Sequence, residues 1–276
     1  MNDFKRILNL ASIIRKEHMW SHRTKIMLPI LLLFIPGFAW GFSDPNVVLP
    51  GGIQPNTAME ILYYTSIGIL FSGTIFSVLI AHDGISKDRI SGVLELRLAQ
   101  PMNRSSQTTA LVWGHWQSSF IPILMCSLLA ILAIFIRREM VPSLLELFWF
   151  VLAIAGLVLW YTLLSLIASS YATEQSTSIA FGIGTWFFFT FLWALVTSMV
   201  AFASGVAVGQ PNDPEWIQLE GYLDLLSPNG VFHHLLETQM PSIDRGVVIS
   251  MTILAMGFWS FVPWWILQRR IRHLSL

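Results

Sequence analysis

Charged side chains are scarce in this sequence: Asp, Glu, Lys and Arg make up 12% of its 276 residues, whereas hydrophobic residues make up 54%. An ordinary soluble domain carries about 25% charged residues. Lys and Arg together number 16, as do Asp and Glu, so no net charge is available to attract a nucleic-acid backbone. These shortages argue against a soluble globule and against a nucleic-acid partner.

Cysteine and the common catalytic motifs are also scarce. Cys126 is the only cysteine and lies in an apolar run, which excludes an intrachain disulfide and a thiolate metal cluster. A Walker phosphate loop, a His-Glu-x-x-His motif and a Gly-x-Ser-x-Gly elbow are all missing. No clear cleavage site follows the basic N-terminal segment, so we expect the first apolar run to be retained as an anchor. The chain is predicted to be no enzyme and to hold no cofactor or metal.

Six stretches are long and apolar enough to cross a membrane. A hydrocarbon core about 30 Å thick requires roughly 20 apolar residues in a helix, because no water is available inside it to pair with the backbone. The stretches run approximately over residues 26–42, 59–81, 109–136, 144–169, 178–203 and 247–267. The first contains Pro29 and Pro36, so a kinked or partly re-entrant helix is an open alternative there. The chain is predicted to be an all-α polytopic membrane protein with one transmembrane domain over residues 1–276.

The basic residues predict the orientation of the six spans. Thirteen Lys and Arg residues fall on one face, and only Arg137, Arg138 and Arg245 fall on the other. Cytoplasmic loops carry the excess of Lys and Arg. Both termini and the loop between the second and third spans are therefore predicted to be cytoplasmic, in a multi-pass protein of the plasma (inner) membrane.

The N-terminal segment, residues 1–25, carries a helical pattern before the first span. Its apolar positions recur at helical spacing and its basic residues surround them. The apolar positions are Phe4, Ile7, Leu8, Ala11 and Ile14. This pattern predicts a helix lying flat on the cytoplasmic interface, with a generic anchor for the first span as the alternative.

The loop over residues 82–108 is the one substantial insertion on the predicted cytoplasmic face. Ser86 is placed to cap a helix that continues through Leu98 and stops at Pro101. Asn103 or Ser105 is then placed to cap the third span. A solvated loop has no need for an apolar run, so a helix-turn-helix that docks on another molecule is predicted.

Residues 204–243 form the main segment on the opposite face and are too broken to span. Asp213 and Pro214 are typical of a helix start, and residues 227–230 interrupt that helix before a second one from Val231 to Glu237. Both short helices are expected to rest on the outer leaflet.

Three further patterns carry weaker chemical signals. His233, His234 and Glu237 could ligate a metal, but adjacent histidines point to different sides of a helix and a third ligand is not evident. A solvated interfacial pair is therefore favoured. The run from His82 to Arg89 resembles the start of the phosphatidyl-alcohol transferase signature, but the aspartates that this signature needs further along are missing. No ionisable residue sits convincingly at a bilayer centre, which argues against ion-coupled transport.

Two segments resemble the permeases of the type-2 ABC exporter class. The run from Ile14 to Glu17, followed by Arg23, is similar to the Arg-Lys-Glu elbow that opens many of these proteins. The loop is similar to the family pattern of an acid–Arg pair, a Gly with Leu two residues on, and Pro and Arg at the turn, here Asp88, Arg89, Gly92, Leu94, Pro101 and Arg104. Val93 and Arg97-Leu98 depart from that pattern. Within the class, the chain resembles the group linked to multi-copper enzyme and nitrous oxide reductase maturation.

The resemblance implies that ATP hydrolysis and the transport pathway belong to different subunits. A separate cytosolic ABC ATPase hydrolyses ATP, two permeases pair as a homodimer or a heterodimer of paralogues, and short outer helices lie between spans five and six. The elbow helix and the loop over residues 82–108 contact the ATPase. Carried onto this chain, that contact comprises Arg15, Lys16, Glu17, Leu98, Gln100, Pro101, Met102, Asn103 and Arg104.

Two other functions remain as alternatives. The chain could be an intramembrane enzyme acting on lipid or peptide, or a non-transporting anchor of a membrane complex. The 11 Met residues are scattered and form no copper-binding array. Copper, a sulfur species, a lipid and a peptide therefore all remain open as substrates.

Overall fold

The computed structural model describes residues 3–50, 52–93, 102–210, 213–240 and 245–273. Across these ranges the chain forms α-helices and two π-helical turns, π1 (Ile69–Gly73) and π2 (Phe188–Leu192), and no strand beyond one isolated bridge. The α-helices in chain order are α1 (Asp3–Met19), α2 (His22–Phe42), α3 (Ala58–Gly68), α4 (Thr74–Ala81), α5 (Ser86–Ile90), α6 (Arg104–Arg138), α7 (Leu144–Tyr171), α8 (Gln175–Phe187), α9 (Trp193–Ser204), α10 (Pro214–Asp224), α11 (Pro228–Glu237) and α12 (Ile249–Arg272).

Six segments among the described residues are long and apolar enough to cross a membrane. Span one is α2, span two is α3 continued through π1 and α4, span three is α6, span four is α7, span five is α8 continued through π2 and α9, and span six is α12. The predicted all-α polytopic architecture is confirmed. Span one remains a single helix of 21 residues despite Pro29 and Pro36.

The connecting segments lie at two ends of the bundle. At the end where both chain termini lie, which we call the terminal end, α1 lies against span three and Arg104 contacts the last turn of span six. At the opposite end, which we call the distal end, Arg137 donates to Asp44 Oδ2 at 2.5 Å and Arg138 donates to the Ser43 carbonyl at 2.8 Å. The two arginines thus tie the end of span three to the segment between spans one and two.

Local hydrogen bonds set where several spans begin. Thr57 and Glu60 form a capping box at the start of span two, in which each side chain accepts from the backbone N–H of the other. Ser143 and Glu146 form the same arrangement at the start of span four. Asn103, one of the two predicted candidates, caps span three with its side-chain oxygen.

Spans two and four form the centre of the bundle. In the most apolar window of each, 72% and 61% of the residues are buried in protein, against 6% for span five. Large, fully buried side chains such as Phe76, Phe150 and Trp160 come from these two spans. Span five therefore exposes many of its apolar side chains, although Trp186 and Phe189 pack against the core.

Helix α11 enters the bundle from the distal end. Asn229 near its start accepts a hydrogen bond from the Tyr161 hydroxyl at 2.8 Å and donates to the Phe189 carbonyl in π2 at 3.1 Å. Tyr161 lies 17 residues after Leu144, or about 26 Å along span four at 1.5 Å per residue. The apolar side chains of α11 are fully buried, namely Val231, Phe232, Leu235 and Leu236. The helix therefore begins deep inside the bundle.

The prediction that both short helices rest on the outer leaflet is wrong for α11. Two short helices do follow span five, and Asp213 caps the first with Pro214 in its first turn, as predicted. The second begins at Pro228 and not at Val231, so it includes three of the residues that were expected to separate the two helices. Close approach is possible because Gly230 has no side chain: a Cβ there would lie 2.6 Å from the carbonyl carbon of Asp224.

The segment after span two also differs from its prediction. Helix α5 ends at Ile90, and Gly92 follows with φ of 71°, a left-handed conformation that ends a right-handed helix. The expected unbroken helix through Leu98 is therefore wrong at Gly92. Ser86 is the first helical residue, and its buried hydroxyl accepts from Ser169 at 3.2 Å instead of capping the helix.

Candidate functional site

Helix α1 docks on span three through a glycine. A Cβ at Gly114 would lie 2.7 Å from Ile14 Cβ and 3.1 Å from the Ala11 carbonyl oxygen, so only glycine permits this approach. Ile14 and Ala11 are buried in this contact. Further along, the rings of His18 and His115 lie 4.6 Å apart. The predicted N-terminal helix is confirmed, and part of its apolar stripe covers protein.

A buried ion pair joins spans one and two at the terminal end. Arg23 Nη1 donates to Asp83 Oδ1 at 2.8 Å, and its Nη2 donates to Asp83 Oδ2 at 2.7 Å. Nη1 also reaches the Leu79 carbonyl at 3.1 Å. The Asp83 side chain is 4% exposed and that of Arg23 is 38% exposed. This bidentate geometry is the strongest form of an arginine–carboxylate contact.

The predicted ATPase-contact residues of α1 lie on an accessible surface. Glu17 Oε1 lies 3.6 Å from Lys87 Nζ, and both side chains are about half exposed. Arg15 reaches Gln117 Oε1 of span three at 3.4 Å, and Lys16 is exposed. These contacts connect α1 to α5 and to span three, so the three elements present one continuous surface at the terminal end.

Arg104 belongs to the predicted ATPase contact and also forms hydrogen bonds within its own chain. Its Nη1 donates to the Arg272 carbonyl at 2.9 Å and to the Ile271 carbonyl at 3.3 Å. Carbonyl groups in the last turn of a helix have no partner within that helix, and an arginine satisfies them while complementing the helix dipole. Arg104 therefore connects the start of span three to the end of span six.

The remaining predicted contact residues are only partly described. Met102 is half-buried and Asn103 is exposed. Leu98, Gln100 and Pro101 lie outside the described residues. The structure thus places Glu17 beside α5, Arg15 beside span three and Arg104 beside the end of span six.

A second cluster of charged groups, which we call the distal cluster, was not predicted. It consists of Asp224, His234, Glu237 and Arg245, together with Tyr63 of span two. Arg245 Nη1 lies 2.9 Å from Asp224 Oδ2, and its Nη2 lies 2.7 Å from Glu237 Oε1. The Tyr63 hydroxyl donates to Glu237 Oε1 at 3.0 Å. The cluster therefore joins α10, α11, span two and the segment before span six.

Burial and charge shift the titration of this cluster. Burial raises the pKa of Asp224 to about 6, with Arg245 opposing the shift. Burial also acts to raise the pKa of Glu237, but the hydrogen bond from His234 and the charge of Arg245 hold it below its usual value. Burial lowers the pKa of His233 to about 4, so its imidazole is neutral near pH 7.

Only a weak signal for the distal cluster is present in the sequence. Arg245 is one of three basic residues on an otherwise acidic face, but its partners lie between 8 and 182 positions away in the chain. The expectation that His233 and His234 form a solvated pair is wrong, because the His234 side chain is only 5% exposed. Among the described residues, no group of three His, Cys, Asp or Glu side chains is placed to hold a metal.

An apolar cleft of about 250 Å³ lies between spans three, four and six. The residues lining it are Thr109, Val112, Trp113, Trp116, Leu159, Ser260 and Trp264. Its polar side chains are the hydroxyls of Thr109 and Ser260 and the indole N–H groups of three tryptophans.

These features define a polytopic membrane protein with an accessible helical surface at one end and a short helix buried in the bundle at the other. The model of the ABC-2 family transporter protein matches residues 10–263, and the chain belongs to this family. It is therefore a membrane permease component of an ABC transporter. A sequence search of curated proteins returned no match.

Proposed function

We propose that the chain is the permease subunit of an ATP-driven exporter and that a separate cytosolic ABC ATPase docks on its terminal end. The observation that carries this proposal is the surface formed by α1, α5 and the first half of span three, in a chain that belongs to the ABC-2 family. Force applied to this surface would reach spans one to three through packed helices and the Arg23–Asp83 pair.

We further propose that two permease copies pair in the plasma (inner) membrane to enclose the substrate pathway. Span five supports this role because it is the span least buried within its own chain. Its outward side chains include Phe181, Phe187, Phe191 and Phe202.

The proposed topology places both termini and residues 82–108 in the cytoplasm. Single cysteines at Ser91 and Gln210, two exposed positions at opposite ends of the bundle, are introduced into a Cys126→Ala chain. In intact cells, an impermeant maleimide is expected to label the Gln210→Cys protein and to label the Ser91→Cys protein only after lysis. Labelling of Ser91→Cys from outside would overturn the orientation.

Reversing an exposed charge in the proposed contact should weaken ATPase docking. Lys16→Glu is expected to reduce the amount of ATPase that co-purifies about tenfold, equivalent to about 1.4 kcal/mol of binding free energy. Lys25→Glu is the matched control, because Lys25 is exposed and lies in the first turn of span one outside the proposed contact. Equal retention of the ATPase by both variants would contradict the assignment of α1.

The alternatives predict different dependence on ATP. The purified chain alone is expected to hydrolyse no ATP, and inactivating the ATPase is expected to abolish its cellular function. An intramembrane enzyme or a passive anchor would keep its function when the ATPase is inactive. Hydrolysis by this chain after verified removal of other subunits would also refute the proposal.

A further inference from the structure

The apolar cleft between spans three, four and six lies in the half of the bundle nearer the terminal end. On span three it runs from Thr109 to Trp116, which lie about 10 Å apart along the helix at 1.5 Å per residue. Thr109 is also the first residue of the apolar stretch predicted to enter the membrane. Trp113 on the same wall is 47% exposed, so the cleft is open to the surroundings of the bundle. Its occupant therefore comes from the hydrocarbon region around the protein.

Several polar groups on the cleft wall are already paired within the chain. Trp116 Nε1 donates to the Ala155 carbonyl at 3.0 Å. The hydroxyls of Ser260 and Thr109 each donate to a backbone carbonyl one turn earlier in their own helices, at 2.8 and 3.0 Å. With these donors satisfied, the wall offers mainly hydrocarbon and indole rings. Such a wall favours an apolar occupant, such as an acyl chain.

One face of span six changes from apolar to charged towards the terminal end. Ser260 and Trp264 line the cleft, and Gln268 and Arg272 continue the same spacing of four residues, which places all four along one side of the helix. Gln268 is 5% exposed, and its Nε2 has no hydrogen-bond partner among the described residues. Its Oε1 accepts from Arg272 Nη2 at 3.2 Å. An unsatisfied donor and a guanidinium group thus follow the cleft along this face.

Positive charge is in excess around this face. The predicted orientation puts thirteen Lys and Arg residues at the terminal end, against the acidic residues Asp3, Glu17, Asp83, Asp88, Glu95 and Glu174. Arg269 lies over the Trp265 ring at 5.5 Å, and within the described ranges neither Arg269 nor Arg272 forms an ion pair with a carboxylate. A second copy of this chain would bring further positive charge here, whereas an anionic phosphate would neutralise it.

We propose that the cleft binds an acyl chain of one anionic phospholipid from the leaflet at the terminal end, with the lipid phosphate beside Arg272. The apolar wall, the unsatisfied donor and the guanidinium group follow the order of the parts of such a lipid, namely acyl chain, ester oxygens and phosphate. Arg272 supplies charge-assisted hydrogen bonds to the phosphate, and Gln268 Nε2 supplies a neutral one to an ester or phosphate oxygen. A lipid held in this way contacts spans three, four and six together and stabilises their packing.

Quenching of tryptophan fluorescence by brominated lipids tests the site in the full-length protein. The protein is reconstituted in phosphatidylcholine vesicles that contain an increasing fraction of phosphatidylglycerol brominated on its acyl chains. Binding beside Trp113, Trp116 and Trp264 is expected to give a component of quenching that saturates at a low fraction of this lipid. Brominated phosphatidylcholine in the same vesicles should give only the gradual quenching expected of lipids that exchange freely around the bundle.

Two substitutions separate the charge from the cleft. Arg272→Gln is expected to raise the phosphatidylglycerol fraction at half-saturation about fivefold, the usual contribution of one basic residue beside an anionic lipid. Thr109→Phe fills the cleft and should remove the saturating component. Lys25→Gln is the control for Arg272→Gln, because it removes an exposed charge at the same end on span one. Trp20→Phe removes an exposed indole outside the cleft and should leave the saturating component intact.

Three results would overturn the proposal. The first is the same quenching curve for both brominated lipids in the unsubstituted protein, a measurement that needs no variant to fold. It would show that no anionic headgroup is recognised. The second is an equal shift in Arg272→Gln and Lys25→Gln, which would assign the preference to the general charge of the terminal end. The third is a disulfide between two copies of a Trp113→Cys, Cys126→Ala chain in the vesicles, which would show that a second copy covers the cleft.

Discussion

Replacing Asp83 with asparagine is expected to lower the free energy of unfolding by about 3 kcal/mol, the lower end of the range for removing one partner of a buried ion pair. The neutral amide would leave the Arg23 guanidinium without its countercharge at the junction of spans one and two. The lower end applies because the Arg23 side chain is 38% exposed, so water offsets part of the loss. Unfolding by SDS in mixed micelles, followed by tryptophan fluorescence, measures the change.

Glu17→Gln supplies the matched control for this substitution. It removes an ion pair at the same end of the bundle, but Glu17 and Lys87 are both about half exposed. Its expected effect is below about 1 kcal/mol. Replacing Arg23 and Asp83 together by leucine should recover much of the stability, because no lone charge remains. Equal losses for Asp83→Asn and Glu17→Gln would show that burial of the Arg23–Asp83 pair contributes nothing.

Gly230→Ala is expected to destabilise the protein by about 3 kcal/mol, at the upper end of the cost of overpacking. The new Cβ would overlap the Asp224 carbonyl oxygen and lie 2.6 Å from its carbonyl carbon. Both neighbours are backbone atoms, so no side-chain rotation can relieve the clash. The helices α10 and α11 would have to separate, and the Asn229 bonds to Tyr161 and π2 would be lost with them. Stability is measured by the same SDS titration.

Gly257→Ala is the matched control for Gly230→Ala. Gly257 lies within span six, and a Cβ at that position would meet no atom within 4 Å. Alanine is also the better helix former, so the variant should be as stable as the unsubstituted protein or slightly more stable. If Gly230→Ala behaved like Gly257→Ala, the close approach of α10 and α11 would be incorrect.

The sequence predicts the six spans because the length of an apolar stretch is enough to identify a helix that can cross a membrane. Span four begins at Leu144 in both the prediction and the structure, and Ser143 with Glu146 explains why it begins there. The N-terminal helix is predictable for a similar reason, since Ala11 and Ile14 repeat at helical spacing. Its contact with Gly114 is not predictable, because nothing in the local sequence pairs this glycine of span three with α1 and not with another helix.

Contacts between distant parts of the chain explain what the sequence does not predict. Helix α11 contains His233, His234 and Glu237, and such polar residues are typical of a surface helix. It can be buried because Arg245 and Tyr63 satisfy its charge, and neither partner is identifiable from local pattern. Likewise, Arg23 belongs to the elbow motif, but only the fold pairs it with Asp83.

The position of α11 has a consequence for the biogenesis of the protein. The helix lies against span four, and Trp259 of span six donates to the Leu225 carbonyl just before it. Span six follows α11 in the chain, so it leaves the ribosome later. The contacts around α11 are therefore complete only after span six has been made, so final burial of this helix is a late step in assembly of the bundle.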